Sequence, residues 1–201
     1  IRVLPADQPN GEFKVLAPRQ RDFKYEAEHL DGRWIISTDW NAPNNRIMSV
    51  AADQIGDRNK WQEVLKHDPK VFIESFSVFK DYLAINERSD ALNRIRVLPW
   101  QDLSKATYIK ADEPVYVAYT DTNLQQDTDW LRYSYTSLTT PNSVYEVNMR
   151  TGEKKLLKQQ EVLGGFDRNN YQTERVWAEA RDGTKVPVSL LYRKGFKPNG
   201  T

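Results

Sequence analysis

The sequence predicts an all-β protein built from repeated four-stranded units, the arrangement of part of a β-propeller. Three positions in the predicted second strands, Trp34, Tyr82 and Leu131, recur at intervals of 48 and 49 residues. The third strands repeat at the same intervals, and propeller blades have four short strands and repeats of about 40 to 50 residues. No apolar pattern typical of a helix longer than two turns lies between the strands. The three recurring side chains are therefore expected to fill the core between blades.

The first piece of the chain, residues 1–20, is predicted to be half a unit. An apolar strand at residues 1–4 is followed by Gln-Pro-Asn-Gly at residues 8–11, and these residue types favour a turn. Residues 12–16 then form the returning strand. This piece therefore supplies two strands, whereas each later unit supplies four.

The next three units each have four predicted strands. Asp31-Gly32 marks a tight turn between the first two strands of the second unit, and Lys80-Asp81 takes the same place in the third. Residues 53–60 form a polar loop with room for one helical turn. The expected strands lie at residues 23–30, 33–39, 46–51 and 61–65, then 71–79, 82–87, 94–98 and 106–109, and finally 115–120, 130–136, 143–149 and 154–157.

A hairpin that does not belong to the repeat is predicted near the end of the chain, at residues 174–192. Its first strand alternates small and larger side chains, the period-2 pattern of a β-strand. Asp182-Gly183 supplies a strong turn signal, and residues 186–192 form an apolar, β-branched return strand. Pro187 has no N–H to donate, so a position at an edge or at the start of a strand suits it.

This hairpin resembles the one that opens the catalytic domain in the prolyl oligopeptidase family of serine peptidases. The resemblance rests on Arg181-Asp182-Gly183 followed by Val186-Pro187-Val188-Ser189-Leu190, with residues 145–153 and 162–171 in support. Within the family, the chain is most similar to the oligopeptidase B branch. The resemblance implies a seven-bladed β-propeller joined to an α/β-hydrolase domain. It makes this chain an internal fragment with about three and a half blades and the first β-hairpin of the hydrolase domain.

A junction without periodicity separates the repeats from the hairpin, and it contains the paired glycines Gly164 and Gly165. We therefore expect residues 1–163 to be the C-terminal part of the propeller, residues 164–172 an interdomain hinge, and residues 173–201 the start of the peptidase domain. The polar end of the chain, residues 194–201, is expected to lead further into that domain. Because three and a half blades leave apolar faces open, we expect the remainder of the same polypeptide to cover them.

The resemblance implies a serine endopeptidase that hydrolyses short peptides after Arg or Lys, with the propeller gating access of the substrate. The nucleophile motif Gly-x-Ser-x-Gly is absent from the sequence, so the triad and the substrate-binding acids are expected downstream of residue 201. No catalytic or substrate-binding residue is assigned to this fragment, which alone is predicted to be inactive. Gly164 and Gly165 are the candidate hinge residues.

Two other functions remain open at this point. One is a prolyl oligopeptidase, which cleaves after Pro, because the specificity pocket is expected outside this segment. The other is a non-catalytic propeller module that binds proteins. A chain that ended on a ring-closing blade would favour the binding module, whereas the hairpin after the repeats favours a peptidase.

The composition of the chain excludes several kinds of chemistry and binding partner. The chain has no cysteine, which excludes disulfides and thiol catalysis and is compatible with a cytoplasmic location. The net charge of +1 gives no reason to expect nucleic acid, and no apolar run approaches the roughly 20 residues of a membrane helix. His29 and His67 have no partner at a metal-ligand spacing, so they are predicted to be surface or structural residues, with no metal and no cofactor.

Two sets of carboxylates are the remaining candidates for chemistry. Asp39 and Glu87 occupy the same place in successive units. They could flank a glycosidic bond, but pairing with arginine or solvation is the expected role, because the next unit has Thr136 there. Residues 121–129 form an acidic loop that is predicted to be solvated; the alternative is a surface near the domain interface that attracts basic peptides. The basic residues at 19–24 are predicted to be a solvated blade edge.

Overall fold

The computed structural model describes residues 1–197 and 199, and it consists of antiparallel sheets that follow one another in chain order. The first is a two-stranded piece in which β1 (Arg2–Val3) pairs with β2 (Lys14–Val15). Three four-stranded sheets and one long hairpin come after it. Residues 198, 200 and 201, which end the predicted polar stretch at 194–201, lie outside the described residues.

Each four-stranded sheet is a meander in which every strand pairs with the next along the chain. All the strands predicted from the repeat are present, with small shifts at their ends, which confirms the all-β propeller architecture. They are β3 (Tyr25–Leu30), β4 (Arg33–Thr38), β5 (Arg46–Ala51) and β6 (Gln62–Leu65) in the second unit, β7 (Phe72–Val78), β8 (Tyr82–Ser89), β9 (Leu92–Pro99) and β10 (Thr107–Tyr108) in the third, and β11 (Tyr116–Thr120), β12 (Trp130–Ser137), β13 (Ser143–Asn148) and β14 (Lys154–Gln159) in the fourth.

The largest departure from the predicted strands is in the third unit, where β8 and β9 extend toward each other. They are joined by a two-residue turn at Asp90-Ala91, whose φ angles are 50° and 56°. Such turns match the twist of the strands but usually carry Asn-Gly or Asp-Gly. Ala91 therefore adopts a left-handed conformation without the glycine that would make it easy.

The apolar core lies between neighbouring sheets. One cluster joins the third and fourth units, and it contains Tyr82 and Leu131. A second cluster joins the second and third units, and a third lies between the half unit and the second unit, where Trp34 is half-buried against it. The prediction that these three side chains fill the space between units is confirmed.

Polar side chains also join neighbouring units, at the strands that open each sheet. Asn86, which is buried, accepts a hydrogen bond from Thr120 N at 2.9 Å and donates through Nδ2 to Thr120 Oγ1 at 2.7 Å. In the same way, Glu28 Oε2 accepts from Val78 N at 3.1 Å. These contacts fix the position of one sheet relative to the next, because sliding one sheet along the other would leave buried polar groups without partners.

The predicted hairpin is present as β15 (Tyr171–Glu179) and β16 (Lys185–Arg193). Its turn has the expected chemistry: Gly183 has a φ of 81°, and Asp182 Oδ1 accepts from Thr184 N at 2.9 Å. Pro187 lies opposite Trp177, on a strand with one side unpaired, where a missing N–H is tolerated.

The fourth sheet exposes an apolar face on the side away from the third unit. A groove of about 710 Å³ runs over this face, and Val117, Tyr119 and Val144 are among its lining residues. Leu156 and Leu157 on β14 are also exposed. This is the open blade face that the sequence led us to expect. No helix of membrane-spanning length and hydropathy occurs in the described part of the chain.

Candidate functional site

The candidate site is the segment that leaves the fourth sheet and enters the hairpin. Ser143, the first residue of β13, pairs with Gln159 at the end of β14 and with Tyr135 near the end of β12. Tyr116, the first residue of β11, pairs with Ser137. The loops at residues 110–115 and 138–142 therefore lie at the same end of the strands of this sheet as the start of the junction. We call this edge of the sheet, formed by the strand ends, the junction rim.

The first part of the junction is exposed and makes little contact with the sheet. Gln160 N still donates to Asn142 O at 2.8 Å, but residues 160–170 are exposed throughout. Gly164 and Gly165 follow with φ angles of 92° and 81°, and a Cβ on either would meet no atom within 4 Å. Both glycines therefore adopt conformations that other residues avoid, without any packing that demands a small side chain. Their role as a hinge stays a prediction.

The second part of the junction is ordered by its own contacts. Asp167 caps a short 3₁₀ turn at Arg168–Asn170 by accepting from Asn169 N at 2.9 Å. The ring of Phe166 stacks on Tyr171 with 5.6 Å between centroids, and Asn170 O accepts from Lys194 N at 2.9 Å. These contacts join the turn to both ends of the hairpin, so the turn and the hairpin form one local unit.

Glu113, on the loop before β11, is the most heavily hydrogen-bonded carboxylate at the junction rim. Its oxygens accept from Thr140 Oγ1 at 2.7 Å, from Tyr135 OH at 2.9 Å and from Thr139 Oγ1. Burial raises the pKa of Glu113, but the hydroxyls, led by Thr139 and Ser137, lower it by more, so its net pKa lies below the ordinary value. Burial followed by the hydrogen bond to Glu113 raises the pKa of Tyr135, which therefore stays a donor.

Glu113 also contacts the junction itself. Arg168 Nη2 lies 3.7 Å from Glu113 Oε1; the Glu113 side chain is only 7% exposed, whereas that of Arg168 is 51% exposed. Beside this ion pair, a groove of about 360 Å³ is lined by Leu138 of the rim and by Val162 and Phe166 of the junction. Beyond the hydrogen bond of Gln160, the junction therefore rests on the rim through one ion pair and a loose apolar contact.

The sequence did not reveal this arrangement. Glu113 and its hydroxyl donors are separated by 22 to 27 positions, and only the pairing of β11 with β12 brings them together. Neither Glu113-Pro114 nor Thr139-Thr140 forms a motif with a recognised spacing. The only local signal was a cluster of turn-forming hydroxyl residues around position 139, and such clusters are common in loops.

The histidines give no indication of chemistry. His29 is exposed on β3, and its ring packs edge-on against Trp34 with 5.1 Å between centroids. His67 is half-buried after β6, with its Nε2 atom buried and without a hydrogen-bond partner. Within residues 1–197 and 199, no three His, Cys, Asp or Glu side chains come together in a way that could hold a metal ion.

The two strand-end carboxylates have separate structural roles. Asp39 Oδ1 accepts from Lys24 N at 2.8 Å. Glu87 is completely buried; its Oε2 lies 3.0 Å from Arg96 Nε and its Oε1 lies 3.4 Å from Arg94 Nη2. Tyr108 OH donates to Glu87 Oε1 at 2.7 Å. The expected pairing with arginine is confirmed for Glu87, which presents no free carboxylate to a sugar, so the paired-carboxylate alternative has no support.

The acidic loop lies at the opposite edge of the fourth sheet from the junction. It connects the end of β11 to the start of β12, whereas the junction rim contains the start of β11 and the end of β12. Two of its carboxylates form ion pairs, Asp127 with Lys80 at 3.2 Å and Asp129 with Arg150 at 3.0 Å. The alternative that this loop attracts basic peptides near the domain interface stays a prediction. The basic residues Arg19, Arg21 and Lys24 are exposed, as predicted.

The sheets and the added hairpin define a class: a β-propeller domain that continues into a second structural unit. Comparison with known proteins gives the family. The family described as prolyl oligopeptidase, N-terminal beta-propeller domain, matches residues 1–160, and the chain belongs to the prolyl oligopeptidase family. The resemblance found from the hairpin is thereby confirmed.

Curated relatives and solved structures agree with this assignment. Dipeptidyl aminopeptidase BI from Pseudoxanthomonas mexicana is 45% identical over 201 residues, which are 100% of this chain and 27% of the relative. Protease 2 from Moraxella lacunata is 28% identical over 200 residues, 100% of this chain and 28% of the relative. Oligopeptidase B from Trypanosoma brucei, in a closed form with covalently bound antipain, superimposes with a TM-score of 0.81 at 29% identity, over 92% of this chain and 27% of that one. The chain thus spans about a quarter of the length of its relatives.

Proposed function

We propose that this chain is part of a serine oligopeptidase that hydrolyses short peptides after Arg or Lys. The observation that carries the proposal is the continuous run from a four-stranded propeller sheet, through the glycine junction, into the hairpin. Over 92% of its length the chain superimposes on oligopeptidase B from Trypanosoma brucei and, with a TM-score of 0.80 at 27% identity, on oligopeptidase B from Leishmania major. Residues 1–163 would then be propeller, residues 164–172 the hinge, and residues 173–201 the start of the peptidase domain.

In this proposal the described residues gate access and supply none of the chemistry. Acyl transfer to water needs a serine nucleophile, a histidine that acts first as base and then as acid, an aspartate that orients it, and an oxyanion hole. These groups would lie in the remainder of the polypeptide, in a cytoplasmic enzyme that requires no cofactor. The propeller would exclude folded proteins, and movement at Gly164 and Gly165 would admit short basic peptides.

Two other specificities have support in the comparisons. A prolyl endopeptidase structure superimposes with a TM-score of 0.76 at 28% identity, which keeps cleavage after Pro as an alternative. The relative with 45% identity is named a dipeptidyl aminopeptidase, so release of dipeptides from a free N-terminus is a further alternative. Both alternatives share the serine mechanism and differ only in the substrate they select.

The test uses the full-length polypeptide and three matched fluorogenic peptides. The first carries a blocked N-terminus and Arg before the scissile bond, the second has Pro at that position, and the third has a free N-terminal dipeptide that ends in Arg. We expect the first to be cleaved with the largest kcat/KM and a serine-directed phosphonate to abolish the activity. Preference for the second or third peptide would replace the proposed specificity by the corresponding alternative, and no cleavage of any peptide would refute the peptidase function.

A further inference from the structure

The hydrogen bonds of Glu113 make its charge independent of Arg168. Three hydroxyl groups, from Tyr135, Thr139 and Thr140, donate to its two oxygens. A buried carboxylate is stable when such donors replace water, whereas one that depended on Arg168 alone would be left uncompensated when the arginine moved away. The ion pair with Arg168 is therefore an addition to an already satisfied carboxylate.

Arg168 and Glu113 belong to opposite sides of the glycine pair. Glu113 lies on the loop before β11 and is fixed to the fourth sheet by its hydroxyl donors. Arg168 begins the 3₁₀ turn beyond the glycines, and that turn is bonded to the end of the hairpin through Asn170 O and Lys194 N at 2.9 Å. Any rotation at Gly164 or Gly165 that separates the hairpin from the sheet must therefore separate Arg168 from Glu113.

We propose that Glu113 and Arg168 form a latch across the junction, which holds the hairpin against the fourth sheet and releases it easily. The inference rests on the proposed function, in which this junction is the hinge between propeller and peptidase. Release is easy because Arg168 is half-exposed and regains water when it leaves, while Glu113 keeps its three hydroxyl donors. Exposed or half-exposed ion pairs shift equilibria by only a few-fold, which suits a latch that must open for each substrate.

The test measures how often the junction opens in the full-length polypeptide. Residues 161–167 are exposed in the latched state, but the segment is held at Gln160 and at Arg168, and a protease must draw it into an extended conformation. Limited proteolysis there therefore follows the open population when opening is fast relative to cleavage. We expect Arg168→Gln and Glu113→Gln each to raise the cleavage rate by about two- to fivefold, the range of a half-exposed ion pair. The double variant should cleave no faster than Glu113→Gln alone, because both changes remove the same contact. Arg168→Lys, which keeps the charge, should restore most of the protection.

Arg181→Gln is the matched control, because Arg181 is an exposed arginine in the hairpin turn, away from Glu113. It should leave the cleavage rate unchanged, and about 1 M salt should bring the wild-type rate toward that of Arg168→Gln. The latch is refuted if Arg168→Gln behaves like the control, if the two single effects add, or if salt has no influence. Thermal melting of each variant identifies any loss of folding, which would raise cleavage throughout the chain.

The readout separates the latch from the proposed function. Proteolysis of the junction needs no peptidase activity, so an inactive full-length protein would refute the peptidase while the latch is still tested. Where the protein is active, the ratio of kcat/KM for a peptide of about 20 residues to that for a blocked single-arginine amide should rise by the same factor in Arg168→Gln. An unchanged ratio with faster junction cleavage would show that the latch does not control entry of substrate, and would refute its part in gating.

Discussion

Alanine substitution at the junction glycines tests the hinge most directly, because the expected effect comes from the backbone alone. Gly164 and Gly165 have φ angles of 92° and 81°, and a Cβ would meet no atom within 4 Å. An L-residue in the left-handed region costs roughly 1–2 kcal/mol, and here no steric clash adds to that. If these residues change to negative φ when the junction opens, each substitution disfavours the closed junction seen here by up to this amount. The equilibrium between open and closed junction would then shift toward the open form by a factor of about 5 to 30.

The assay compares Gly164→Ala and Gly165→Ala with a glycine that has the same conformation elsewhere. Gly152, in the turn between β13 and β14, has a φ of 78° and equally open surroundings. All three variants should lose similar stability in urea unfolding of the full-length protein. Only the two junction variants should speed proteolysis at residues 161–167 and favour long peptides over short ones. Equal effects from Gly152→Ala, or no effect from the junction pair, would refute the assignment of the hinge.

Three further predictions concern stability. Glu87→Gln should destabilise the protein by about 3 to 5 kcal/mol in urea unfolding, because it leaves two arginines facing a neutral buried amide. Glu63→Gln should cost less than about 1 kcal/mol, because that carboxylate is half-exposed. Similar values for the two variants would contradict this prediction. Ala91→Gly should stabilise the β8–β9 turn by roughly 0.5 to 1 kcal/mol, because removing the strain of an alanine at positive φ outweighs the entropy that glycine adds to the unfolded chain. A lower melting temperature would argue against this prediction. The pKa of Glu113 is lower in the folded protein than its ordinary value of 4.5, so the carboxylate stabilises the fold fully above pH 4.5 and loses that effect as pH falls through the folded pKa. The difference in unfolding free energy between wild type and Glu113→Gln should therefore shrink between pH 5 and pH 2. A constant difference would assign no such role to the carboxylate.

The repeat was predictable because each sheet forms from neighbouring strands. Pairing between adjacent segments needs only alternating side chains and short turns, and both are local properties of the sequence. The positions of Tyr82 and Leu131 in the core followed from the repeat in the same way. The turn at Asp90-Ala91 was missed because it lacks glycine, so the sequence carried no signal for a left-handed conformation there.

The polar contacts at the junction were not predictable for a different reason. Glu113 depends on three hydroxyls that arrive through β12, and Arg168 arrives from beyond β14. Such a cluster is specified by tertiary structure and leaves no spacing in the sequence. The partners of the acidic loop were hidden in the same way, because Lys80 and Arg150, which pair with Asp127 and Asp129, come from other units or strands.

The strengths of the contacts indicate where two parts of this chain can separate. Neighbouring units share large buried side chains such as Leu131 and Leu83, each worth about 1.5–3 kcal/mol, together with the buried bonds of Asn86. Across the junction, the contacts from the sheet to the 3₁₀ turn consist of one half-exposed ion pair and an open groove, worth about 1 kcal/mol. A force that moves the hairpin relative to the propeller would therefore separate Arg168 from Glu113 long before it parted two units. We accordingly expect the units to move as one body and the displacement to be confined to residues 161–167.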